Sequence, residues 1–145
     1  MRAMYCGLSG FQPMIEIFGH TADVRLRVSG KSLEELFREA LRGTINLLHP
    51  QNGTQRARRN VILDAADATV LLIDFLNEAL SSAHAHRETY DDAVFSKLTE
   101  THVAATLTGW DAIAFGEDVK AVTYHEADVR RKDDGTWSTM LVFDL

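Results

Sequence analysis

Asp23-Val24-Arg25-Leu26-Arg27-Val28-Ser29-Gly30-Lys31-Ser32-Leu33-Glu34-Glu35-Leu36-Phe37 changes its hydrophobic period half-way along, and that change decides the fold class. Up to Val28 the apolar residues fall at every second position, with Asp23, Arg25 and Arg27 between them. A period of two is that of a strand buried on one face. Gly30-Lys31 is a turn. Ser32 to Glu35 then forms a capping box, in which the Ser32 hydroxyl accepts from the Glu35 amide and the Glu35 carboxylate reaches back. From Leu33 the period is helical: Leu36, Phe37, Ala40, Leu41 and Leu48 share one face. Strand, turn and amphipathic helix follow one another within a single short stretch.

Working outward, Met14 to Phe18 reads as a strand that Gly19-His20-Thr21 breaks. The first helix ends near His49-Pro50, because the residue before a proline avoids helical geometry. Gln51-Asn52-Gly53 continues a loop that carries Arg56, Arg58 and Arg59, and Val61 to Leu63 is a strand. Asp67 caps a second helix with Leu71, Leu72, Phe75, Leu76, Ala79 and Leu80 on its core face, fading around His84 to Arg87. The remainder is strand-rich: Val94 to Leu98, Val103 to Leu107, Val119 to Arg130 and Thr136 to Asp144. The pattern predicts an α+β fold: a two-layer sandwich of two amphipathic helices on a mainly antiparallel sheet.

With 145 residues, 46% hydrophobic and 25% charged, the chain suits one globular domain. Residues 14–145 are read as that domain, and residues 1–13 as a disordered extension that lacks the apolar run of a signal peptide. No stretch approaches the ~20 apolar residues of a membrane helix. Cys6 is the single cysteine, so an internal disulfide is excluded, which fits a reducing, cytoplasmic location. The net charge of -6 argues against strong direct binding of nucleic acid, which selects basic surfaces. Arg56, Arg58 and Arg59 are read as a solvated connector. The expectation is a monomer.

Few residues suggest chemistry. His20-Thr21-Ala22-Asp23 sits at a strand entry, where, taken alone, a polar turn in which Thr21 and Asp23 bond the backbone is a simpler reading than a site. Asp144-Leu145 is less usual, because a patterned strand, Met140-Leu141-Val142-Phe143, runs to the end of the sequence. The Asp144 side chain and the Leu145 terminal carboxylate would make half of a hard-cation site; a solvated acid at a strand end is the competing explanation. Asp134-Gly135 signals a two-residue hairpin turn. Counting outward from it pairs Val129 with Met140, Ala127 with Val142 and His125 with Asp144. His84 and His86, two apart on a helix, point to different sides. No phosphate-binding glycine loop, Cys-x-x-Cys, spaced zinc motif or nucleophile context is present.

Several segments together resemble the archease family: Phe18-Gly19-His20-Thr21-Ala22-Asp23-Val24, Gly30 to Phe37, Leu71 to Leu80, Val119-Lys120-Ala121-Val122-Thr123-Tyr124-His125, and the final Asp plus aliphatic residue. They occur in the family's order from Ile15 onward. The resemblance implies a non-enzymatic activator of an RtcB-type RNA ligase in tRNA splicing and RNA repair, promoting guanylylation of the ligase and its multiple turnover. It implies a metal site made by Asp23, Asp144 and the terminal carboxylate of Leu145. His20, Thr21, Lys120 and His125 would lie around it. The cofactor so implied is a divalent cation, calcium first, with magnesium or manganese also suited to an all-oxygen set. Three such charges ~5 Å apart would repel by roughly 3 kcal/mol per pair at an effective dielectric near 20, which calls for a cation or a proton. The departures are a shortened loop, where Gly116-Glu117 runs almost directly into Val119, and the segment 1–13. The alternative reading is a metal-dependent phosphoesterase using the same carboxylates.

Overall fold

The computed structural model describes the backbone of residues 2–3, 11–18 and 21–145, with side chains from residue 23 onward. The chain runs β1 (Arg2–Ala3), β2 (Phe11–Phe18), β3 (Thr21–Gly30), α1 (Leu33–Leu47), β4 (Pro50–Asp64), α2 (Ala68–His86), β5 (Glu88–Leu98), β6 (His102–Phe115), β7 (Ala121–Thr123), β8 (Arg130–Arg131) and β9 (Trp137–Asp144). The class is α+β and every pairing is antiparallel. The strands divide between two sheets, where the pattern suggested one. One sheet has the order β1-β2-β3-β9-β7, with β8 also on β9; the other is β4-β6-β5. Both helices touch both sheets, α1 packing on β3 and β5 and α2 on β7 and β4.

Local chemistry explains the helices. The Glu35 amide donates to Ser32 Oγ at 3.1 Å, and the Glu35 carboxylate accepts from the Lys31 amide at 2.8 Å. The Val70 amide donates to Asp67 Oδ1 at 2.9 Å. These caps satisfy amides that the first helical turn leaves open. Leu36, Phe37, Leu41, Leu71, Leu72, Phe75 and Leu76 are fully buried, and they meet Val24, Leu26, Leu141 and Phe143 of the larger sheet and Leu107 of the smaller. Phe37, Phe75 and Phe95 form an aromatic triplet at centroid distances of 5.3 to 6.3 Å.

Strand extents differ from expectation in two places. β2 begins at Phe11, three residues before Met14, and residues 4–10 of the segment read as an extension lie outside the described residues. β4 is far longer than Val61 to Leu63: Arg56, Arg58 and Arg59, read as a loop, belong to it and pair with Trp110, Thr108 and Leu107. Exposed and less exposed positions alternate from Arg56 to Asp64, as fits a strand with one face in solvent, and bulges near Gln51 and Asn52 absorb the loop-like residues. Arg59 turns inward, where its guanidinium holds the Glu88 carboxylate through Nε (2.9 Å) and Nη2 (2.5 Å).

The final hairpin corrects the counted register. Arg131 lies opposite Trp137 and Arg130 opposite Ser138, one residue away from the expected pairing. The reason is Gly135, whose φ of 88° places it in the left-handed region. The Gly135 amide donates to the Lys132 carbonyl at 2.9 Å, closing a three-residue loop with a left-handed last position where two residues had been counted. Residues 124–129 then leave the sheet, so that Ala121, Val122 and Thr123 face Asp144, Phe143 and Val142. Val129 and Ala127 are consequently not the partners of Met140 and Val142.

Candidate metal centre

Asp23 opens the described side chains of β3 and Asp144 closes β9, and the two are direct cross-strand partners. The register follows from burial. Val24, Leu26 and Val28 must face the helices, and they pair with Phe143, Leu141 and Thr139. The alternate positions therefore fall on the sheet's other face: Asp23 with Asp144, and Arg25 with Val142. Two carboxylates opposite each other repel. On either side of this pair, Ala121 of β7 lies opposite Asp144, and Glu16 of β2 holds the register position opposite Asp23. The Lys120 amide donates to the Asp144 carbonyl at 2.9 Å, which anchors the strand end just before Leu145. Asp144 is exposed and Asp23 half-buried, while Leu145 is 37% exposed.

Of the other residues expected near this point, His125 is set apart. His125 is not beside Asp144: it lies in the 124–129 loop, exposed, its amide donating to Thr123 Oγ1 at 3.2 Å. The three-residue turn and the departure of this loop from the sheet move it away. His20 lies outside the described residues. Thr21 starts β3 opposite Phe18, and only its backbone is described. Lys120 is exposed and adjoins the pair through its backbone. Among the described residues no three His, Cys, Asp or Glu side chains gather into a metal-holding group. A site here therefore requires the two aspartates plus an oxygen donor of another kind. The resemblance implies such a donor in a terminal carboxylate at Leu145, and an all-oxygen set would suit calcium, magnesium or manganese.

The helix α2 supplies residues whose role the sequence did not disclose. Asn77 Nδ2 donates to the Val122 carbonyl and its Oδ1 accepts from the Val122 amide, both at 2.9 Å. The side chain thus substitutes for a neighbouring strand at the edge of β7. Asp74 accepts from the Tyr124 hydroxyl, and Thr69 Oγ1 accepts from the Val129 amide at 2.9 Å. Glu126 meets Arg25 Nη1 at 3.0 Å. Together these contacts hold the 120s segment beside Asp144. The signal was the polar residues at 69, 74 and 77 of α2, but their partners lie 45 to 60 residues away and no local pattern names them.

The fold defines a small α+β domain in which a helix-backed antiparallel sheet sets two aspartates from opposite parts of the chain side by side. Comparison with known proteins gives the particular family. The archease protein family matches residues 15–145, and this chain belongs to it. It is 30% identical to protein archease of Pyrococcus abyssi over 144 residues, covering 90% of this chain and 97% of that protein. It is 28% identical over 139 residues to protein archease of Methanosarcina barkeri, covering 90% and 94%. A crystal structure from Thermotoga maritima, described as an archease and possible chaperone, superposes with a TM-score of 0.68 at 22% identity, covering 91% of this chain and 98% of that one. The solution structure of a Methanobacterium thermoautotrophicum protein gives 0.61 at 24% identity, covering 94% and 99%.

Proposed function

We propose that this chain is a non-enzymatic activator of an RtcB-type RNA ligase, and that it acts through a divalent cation held by Asp23, Asp144 and the terminal carboxylate of Leu145. Family membership supports an activator or chaperone role. The observation that carries the site is the direct pairing of Asp23 with Asp144, residues that only the fold brings together. Two like charges held opposite each other are costly unless a cation or a proton relieves them. A bound cation would supply fixed positive charge to which oxygen ligands of a partner or nucleotide can bind. The chain's own part is to hold the carboxylates: β3 and β9 set their separation, and the Lys120 amide fixes the backbone of Asp144. Calcium is the leading ion and manganese or magnesium the alternatives.

The test is guanylylation and turnover of a cognate ligase with GTP, with and without this protein. Wild type should raise the number of turnovers at limiting ligase, and Asp144→Asn or Asp23→Asn should not. A C-terminal extension should weaken calcium binding in calorimetric titration while an N-terminal one leaves it unchanged, because only the former converts the terminal carboxylate to an amide. Hydrolysis of a cyclic-phosphate RNA by the purified protein alone, abolished in Asp23→Ala, would replace this reading with that of a metal-dependent phosphoesterase.

A further inference from the structure

The smaller sheet turns one face to the helices and leaves the other uncovered. On the inner face Val61, Ala105 and Leu107 are buried in the core. The outer face is read from the alternate positions and their register: Arg56 with Trp110, Arg58 with Thr108, Asn60 with Thr106 and Val94, and Ile62 with Ala104. Contacts between the side chains agree. The Thr106 hydroxyl donates to Asn60 Oδ1 at 3.0 Å, and the Arg56 guanidinium lies 4.5 Å over the Trp110 ring. Ile62 and Val94 are 70% and 63% exposed, the two most exposed large apolar side chains described.

Single exposed apolar residues need no explanation, but these share one flat face with a stacked Arg–Trp pair. Arginine and tryptophan are over-represented among residues that dominate protein interfaces. The charge on this face has a definite sign. Among the described residues, Arg59 alone of the three clustered arginines has a carboxylate partner, Glu88. Arg56 and Arg58 form no salt bridge among the described residues, on a chain whose net charge is -6. The β5 edge is closed by α1, since Arg38 Nη2 donates to the Ala93 carbonyl (3.2 Å) and Arg42 Nε to the Asp91 carbonyl (2.9 Å). The face beside that edge has no such cover.

We propose that this outer face is a docking surface for a partner protein that presents an aliphatic patch bordered by carboxylates. The proposal rests on the reading that the chain works on a partner protein, and it names the surface that makes the encounter. Charge complementarity selects the occupant: two unpaired arginines at one end recruit an acidic rim, while Ile62, Ala104 and Val94 offer apolar contact. A single-stranded RNA fits less well. Two cations would release few counterions, each phosphate contributing only about -0.7 to the salt slope, and the one aromatic ring is occupied by Arg56.

The probe is a cognate RtcB-type ligase immobilised for binding measurements, with wild type, Arg58→Glu, Ile62→Glu and the double variant as analytes. Each single variant should weaken binding about tenfold, the double variant more, with melting temperature and calcium affinity unchanged. Arg58 is exposed and makes no salt bridge, so Arg58→Glu carries the test should Ile62→Glu fail to fold. Equal binding by wild type and Arg58→Glu overturns the surface while leaving the activator reading intact. A wild type that binds no ligase overturns that reading and this surface with it. Two further results would reassign the face: Arg58→Glu losing oligouridine binding but not ligase binding makes it a nucleic-acid platform, and a concentration-dependent dimer lost in Ile62→Glu makes it a contact between copies of this chain.

Discussion

Asp23 and Asp144 illustrate what a single pair of residues can do to a sheet. Each sits where its strand demands, and their juxtaposition costs stability that neither residue would lose alone. Asp144→Asn should therefore raise the melting temperature of the metal-free protein and, if the proposed site holds calcium, abolish the further rise that calcium would give to wild type. Thermal melts in chelator and in calcium check both halves. Tyr90 makes a different prediction. It is buried, its hydroxyl approaches Glu88 Oε2 at 3.4 Å, and burial first, then the Glu88 charge, pushes its ionisation above that of an ordinary tyrosine. Folding then keeps Tyr90 protonated after the unfolded chain has begun to ionise, at about pH 10. Its contribution is intact below that pH and is lost progressively above it. Tyr90→Phe should flatten the alkaline fall in a series of denaturant midpoints measured between neutral and strongly basic pH.

At the scale of elements, β7 depends on a helix side chain for a partner that a longer sheet would have provided. Asn77→Ala removes two hydrogen bonds to Val122, each worth about 0.5–1.5 kcal/mol, so a loss of roughly 1–3 kcal/mol is expected. Amide exchange should accelerate at Val122 more than at the centre of β6, which locates the damage. Gly135→Ala places a side chain in the left-handed region and should cost about 1–2 kcal/mol in chemical denaturation. These elements also show where sequence was readable. α1, α2 and β3 carry their period and caps within a few residues, and they appear where expected. The hairpin register was not readable, because Asp134-Gly135 serves a two-residue turn and a three-residue loop equally well, and one residue decides whether His125 or some other residue meets Asp144. β4 was read as a loop around its arginines because a strand with one face in solvent is half polar. The aspartate pair itself needed the family resemblance to join it, since nothing local links positions 23 and 144.

Taken whole, the molecule is acidic, with a net charge of -6, and Arg38, Arg42 and Arg59 of its basic residues each hold a carboxylate. Isolated single-stranded RNA should bind weakly and with a shallow dependence on salt, read by fluorescence anisotropy across a salt series. A steep slope would reopen the role of Arg56 and Arg58. The described helices include none long and apolar enough to cross a membrane.

The position of β9 has a consequence for how the chain is made. Trp137–Asp144 is inserted between β3 and β7, so β3 lacks its neighbour on that side until residues close to the end of this sequence have been synthesised. Until then β3 presents an unpaired strand edge, which is a template for wrong partners. Emergence of β9, and not of the first helix, is therefore the moment at which the larger sheet closes. A nascent chain arrested before Trp137 should remain sensitive to protease across β3, whereas one extended past Asp144 by a linker that clears the exit tunnel should become resistant there.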